Sequence, residues 1–241
     1  MKKALLTFAT TTNHYAYYQK KNTEIFLRFN NFDQIYALDE NSIPKDYYNK
    51  HEKILSQKRG AGYWLWKPYF INKILSKLDD GDILMYTDAA VQQIKDLSPI
   101  FNLLEKQSVL PHKLDSGIGD ERRGCKRDVY LLLNCDNEKY WTGDISGQFG
   151  AAYIFIKKNQ ESVRFVSEWL SYCEDERVLT DIPNTLGESN VPDFVDHRHD
   201  QAVYSVLCKK YGFKPIYDIT QYGNSFRPRE ESWGQLLYHE R

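Results

Sequence analysis

No stretch of this sequence approaches the roughly 18 consecutive apolar residues needed to cross a bilayer, and the apolar core near Met1 is too short for a secretory leader. A cytoplasmic protein is expected, with at most peripheral contact at the inner face of the membrane. A surplus of one charge is also missing, with 32 Lys+Arg against 33 Asp+Glu and no basic block beyond a few residues, which argues against nucleic acid as a partner. The four cysteines, Cys125, Cys135, Cys173 and Cys208, contain no C-x-x-C pair, so neither a zinc ribbon nor a disulfide framework is expected and all four read as reduced thiols. Internal repeats, low-complexity tracts and linkers are absent too, which points to one domain over residues 1–241. Aromatic residues, by contrast, are abundant: 18 Tyr, 12 Phe and 5 Trp, many interleaved with polar residues. Such rings either stack on sugars and bases or fill the core.

Apolar runs alternate with helical patterns. Lys3 to Ala9 fits a buried strand emptying into the polar loop Thr10 to Asn13; Tyr15 to Arg28 suits a helix and Gln34 to Leu38 a second strand. Pro68 is well placed to open a helix whose apolar face is Ile71, Ile74, Leu75 and Leu78. Ile83 to Asp88 then reads as a central strand ending in a carboxylate, and Ala151 to Ile156 as another strand. A helix carrying Val166, Trp169, Leu170 and Cys173 on one face follows, and a last helix begins near His199 with Val203, Val206 and Leu207 inward. Lys126 to Leu133 suits helix or strand, and the segment Leu114 to Gly124, with Gly117 and Gly119, reads as a loop. The order predicts an α/β fold, Rossmann-like, with a mostly parallel central sheet flanked by helices.

Three clusters carry the chemistry. Asp88, at the carboxyl end of an apolar strand and followed by the small residues Ala89 and Ala90, has room to hold a divalent cation against a diphosphate, or else caps the next turn. Asp196 to Gln201 packs two imidazoles, a guanidinium, two carboxylates and an amide into six residues, either as a reactive site or as the polar start of a helix. His197 and His199 are two apart and cannot share a helix face, so at most one is a metal ligand. Lys58 to Pro68 combines Gly60 and Gly62 for close backbone approach, Arg59 and Lys67 for phosphate charge, and Trp64 and Trp66 as flat faces or core anchors.

The order Gly60-x-Gly-x-Trp-x-Trp-Lys-Pro68, Gly81-Asp-Ile-Leu-Met-Tyr-Thr-Asp-Ala89, Gln148-x-x-Ala-Ala-Tyr-Ile-Phe155 and His197-Arg-His-Asp-Gln201 resembles bacterial glycosyltransferases of the GT-A fold that build capsule or O-antigen polysaccharides. The resemblance covers about Lys58 to Leu207. It implies transfer of a sugar from a nucleotide-sugar, UDP-linked by expectation, to a saccharide or lipid-linked saccharide acceptor, with Mn²⁺ or Mg²⁺ bridging the diphosphate. Asp88 stands where that family holds its metal, with His239 or His197 as an added ligand. Tyr86 occupies the first position of the family's Asp-x-Asp pair, a departure from its pattern. Donor contacts fall on Thr7, Arg59, Trp64, Trp66, Lys67, Tyr86, Gln148 and Arg198, and the catalytic pair is Asp200 and Gln201. A sugar nucleotidyltransferase would want a glycine-rich loop after the first strand, and Thr7 to Asn13 holds no glycine. A non-catalytic glycan-binding protein is the rival from another class.

Overall fold

A computed structural model of the chain describes residues 1–114, 119–142, 147–223 and 233–240. In chain order its principal elements are β1 (Lys3–Phe8), α1 (Tyr15–Phe29), β2 (Gln34–Leu38), α2 (Trp66–Leu75), β3 (Ile83–Asp88), β4 (Val91–Gln93), β5 (Val109–Lys113), β6 (Phe149–Lys157), α3 (Gln160–Cys173), α4 (His199–Tyr211) and β7 (Leu237–His239). Short helical turns fill several of the connections.

Five strands form one sheet in the order β2-β1-β3-β6-β5, with β2, β1 and β3 parallel and β6 antiparallel to both its neighbours. Four strands therefore share a direction, so the sheet is mostly parallel as expected, with β6 reversed within it. The apolar run of β6 gives no warning of its reversal, because a strand buried on both faces looks the same in either direction. Alternation along the strands explains the two cores. Ala4, Leu6, Phe8, Leu84 and Tyr86 pack toward α2, α3 and α4, whereas Leu5, Ile83, Met85 and Phe155 pack with Phe26, Ile100 and Phe101 on the other face.

Helix α2 starts at Trp66, two residues before Pro68. Proline is tolerated at the third position because the first four N–H groups of a helix lack intrahelical partners. Lys126 to Leu133 resolves as a short helix over Arg127–Leu132. Part of the expected loop around Gly117 lies outside the described residues, and Glu121–Gly124 at its end forms a helical turn. All four cysteines are buried and unpaired. No helix among the described residues is long and apolar enough to cross a membrane.

Two features of this topology position a site. The chain runs from β1 outward to β2 and returns on the other side of β1 as β3, so the carboxyl ends of β1 and β3 splay into a crevice. Phe8 and Asp88 are register partners at its edge. The antiparallel ribbon of β4 and β7 then carries His239 back beside Val91, three residues past Asp88.

Candidate functional site

Two cavities open at the crevice and share Trp64, Asp88 and His239 in their walls. One, of about 630 Å³, lies against the end of β1 and the loop Ala9 to Asn13, with Gly60, Ala61 and Trp66 opposite. The other, of about 370 Å³, is walled by Lys67, Gln148, Asp200 and Gln201 on one side and by His112, Tyr153, Asp218 and Tyr222 on the other.

Where the cavities meet, α2, β3 and α4 bring together three charges from distant parts of the sequence. Lys67 Nζ lies 3.0 Å from Asp200 Oδ2 and 3.6 Å from Asp88 Oδ1, and it donates to the Ala151 carbonyl at 3.1 Å. Burial alone would drive the ammonium toward neutrality, but Asp200 and then Asp88 hold its pKa above the ordinary lysine value. Asp200 is also buried, and desolvation outweighs the pull of Lys67, so its carboxyl is pushed up to about 6. It is thus ionised at neutral pH yet more basic than an ordinary carboxylate. Tyr86 shares a strand face with Asp88 and donates its hydroxyl to Asp88 Oδ1 at 2.6 Å.

The turn that carries Trp64 to both cavities has unusual backbone. Gly60, Ala61, Gly62, Tyr63 and Trp64 have φ values of 57°, 50°, 95°, 52° and 60°, a continuous left-handed turn that includes three residues with side chains. Left-handed helical geometry costs such residues about 1–2 kcal/mol each, so packing and hydrogen bonds must hold it. Tyr63 N donates to Arg59 O at 2.7 Å, Gly62 N to Gln57 O at 2.8 Å and Trp66 Nε1 to Gly60 O at 3.0 Å. A Cβ on Gly62 would stand 2.7 Å from the Leu55 backbone. Trp66 stacks on Phe8 with centroids 3.8 Å apart, so it anchors the core while one edge borders the larger cavity. Trp64 lies against the His199 ring at 5.5 Å.

The Asp196 to Gln201 cluster divides by direction. Asp200, Gln201, Arg198 and His199 line the smaller cavity. His199, itself at φ 50°, donates from Nδ1 to Leu179 O at 2.8 Å, with Nε2 3.7 Å from Asp181. His197 turns away into the core: its Nε2 lies 2.8 Å from Val178 O, its Nδ1 takes the Lys126 amide at 3.5 Å, and burial drives its pKa well down. With both ring nitrogens engaged, His197 has no lone pair for a metal and is not brought to Asp88. Thr7 is likewise not brought to the crevice, since alternation turns it to the face opposite Phe8. Arg59 borders the smaller cavity, already paired with Asp181 and Asp196. Arg198 stands exposed at the rim with no ion-pair partner among the described residues.

Gln148 is fully buried behind Gln201 and accepts from its amide. His112, Tyr153 and Asp218, which sequence reading did not single out, form the far wall. His112 stacks on Tyr153 at 3.8 Å, burial lowers its pKa to about 4, and Tyr153 OH donates to Asp218 at 2.9 Å. No group of three or more His, Cys, Asp or Glu able to enclose a metal occurs among the described residues. Asp88, half-buried with Oδ2 uncommitted, and His239 nevertheless border both cavities. Two protein ligands suit a Mg²⁺ or Mn²⁺ ion whose remaining ligands are substrate phosphates and water, as is usual for such ions.

No family model and no curated protein matches the sequence. Solved structures share the fold. A glycosyltransferase involved in glycosylating the major capsid of PBCV-1 superposes with a TM-score of 0.50 at 11% identity, over 99% of this chain and 92% of that one. Mouse xyloside xylosyltransferase 1 superposes with a TM-score of 0.51 at 10% identity, over 100% of this chain and 98% of its own. The likeness is one of fold.

Proposed function

We propose that the protein is a nucleotide-sugar-dependent hexosyltransferase, one domain over residues 1–241, that extends a surface polysaccharide such as capsule or the O-antigen of lipopolysaccharide. Its donor in this reading is UDP-linked, its acceptor a saccharide or lipid-linked saccharide, and its place the cytoplasmic face of the membrane. The observation that carries the proposal is the buried Lys67 held between Asp88 and Asp200 where two cavities meet at the carboxyl ends of parallel strands.

The larger cavity, beside the Ala9 to Asn13 loop and the aromatic wall, suits a nucleoside, and the smaller one suits the sugar and its acceptor. Asp88 and His239 would hold Mg²⁺ or Mn²⁺, which supplies charge to the leaving diphosphate when bound. Lys67 offsets one of the two carboxylates beside it and keeps Asp200 ionised at neutral pH. Asp200 then acts on the sugar side, taking a proton from the acceptor hydroxyl or stabilising positive charge at the anomeric carbon. Arg198 at the rim is placed to meet phosphate oxygens.

Incubation with a panel of nucleotide-sugars and Mn²⁺, without acceptor, tests this reading by slow release of nucleoside diphosphate. A glycan-binding protein would release none from any donor. A nucleotidyltransferase would release pyrophosphate from nucleoside triphosphate and sugar phosphate instead.

A further inference from the structure

Behind Gln201, on the side away from the cavity, lies a fully buried acid. Glu121 Oε2 accepts from Lys209 Nζ and Ser205 Oγ, and its Oε1 accepts from Gln148 Nε2 at 2.9 Å. Gln148 Oε1 accepts from Gln201 Nε2 at 2.9 Å, and Gln201 Oε1 accepts from the Ala151 amide at 3.3 Å. A carboxylate against an ammonium only accepts and a backbone N–H only donates, so the two ends of this relay dictate which way both amides between them face. Gly124 makes room for it, since a Cβ there would stand 2.6 Å from Gln148 Nε2.

We propose that Glu121 is a positioning residue: anchored by Lys209, its charge sets the direction of the Gln148–Gln201 relay and holds Gln201 with its oxygen toward the β6 edge of the cavity. Gln201 and Ala151 both line that cavity, so the ligand meets an acceptor there rather than an NH₂ group. The effect on catalysis rests on the glycosyltransferase reading; the relay itself does not.

Glu121→Gln tests it. Lys209 and Ser205 take the oxygen of the new amide, whose NH₂ then confronts the NH₂ of Gln148, and every arrangement of the relay leaves a donor facing a donor. Adding Gln148→Glu removes the conflict, because the new carboxylate accepts from both neighbours. Side-chain amide NMR should show the Gln201 NH₂ protected from exchange in the wild type, exposed in E121Q and protected again in the double variant. In the transfer assay, kcat should fall about tenfold in E121Q, the scale of one mis-set hydrogen bond, with donor KM little changed. Unchanged Gln201 protection in E121Q, or a double variant no better than the single, overturns the proposal. Should E121Q not fold, the double variant decides, since it is expected to fold and its failure refutes the relay. A wild type without transfer activity refutes the glycosyltransferase reading alone, and the amide exchange still decides the positioning role.

Discussion

Replacing Lys67 with methionine keeps the buried stem and removes the charge between Asp88 and Asp200. Breaking a buried ion pair ordinarily costs about 3–5 kcal/mol. Asp200 has a cheaper way out, which is to take up a proton. Holding it ionised with a pKa of about 6 instead of the ordinary 3.8 already costs the fold ~3 kcal/mol near neutrality, while protonating it at about pH 7 would cost ~4 kcal/mol. The electrostatic penalty of the variant is therefore capped at ~1 kcal/mol, with a further ~1 kcal/mol for the lost hydrogen bond to the Ala151 carbonyl. Because the folded pKa is raised, the stability that Asp200 contributes is complete below 3.8 and is lost as pH rises through about 6; without Lys67 that loss continues to higher pH. Denaturant melts should show ~2 kcal/mol of destabilisation at about pH 7 but only ~1 kcal/mol at about pH 5, where Asp200 is protonated in both proteins. Equal destabilisation at both values would refute the reasoning, and so would a cost of 3–5 kcal/mol at the higher one.

Asp200→Asn should lower turnover at least ~10²-fold with donor affinity nearly unchanged, and should abolish the rise of wild-type rate through about pH 6; a variant keeping most of its rate would leave Asp200 structural. Asp88→Ala should lose metal-dependent binding of UDP in calorimetric titration with Mn²⁺ while remaining folded, since Asp88 is half-buried at a strand end, and unchanged affinity would remove it from the metal site. Ala61→Gly relieves a left-handed residue worth about 1–2 kcal/mol but loosens the unfolded chain by about 0.4–1 kcal/mol, so it should raise stability by up to ~1.6 kcal/mol in thermal melts; a lowered melting temperature would contradict the assigned strain.

Much of the frame was legible: β3 falls where its residues predict because burial on both faces leaves an unbroken apolar run, and β2, a half-exposed edge strand, falls where its Ile-Tyr-Ala-Leu run predicts. The crevice at Asp88 follows from a carboxylate closing such a run. What the residues did not disclose depends on direction and distance. The reversal of β6 leaves no mark on its composition, and β4 and β7 are three-residue strands too short to show a period. His197 and His199 look equivalent in sequence, yet only the fold turns one inward onto Val178 and the other toward the cavity. Lys67 was legible as a charge near a glycine pair, while its place between two carboxylates required α2 and α4 to meet across β6. Glu121 gave no signal, since an isolated acid among charged neighbours resembles any surface residue until it is found buried.

The left-handed turn from Gly60 to Trp64 has a bearing on the order in which the molecule comes together. A segment whose own backbone preference opposes its native shape is a poor nucleus for folding, because Leu55, Trp66 and His199 must be in place around it. The turn beside the two cavities is therefore expected to form after the core residues that hold it.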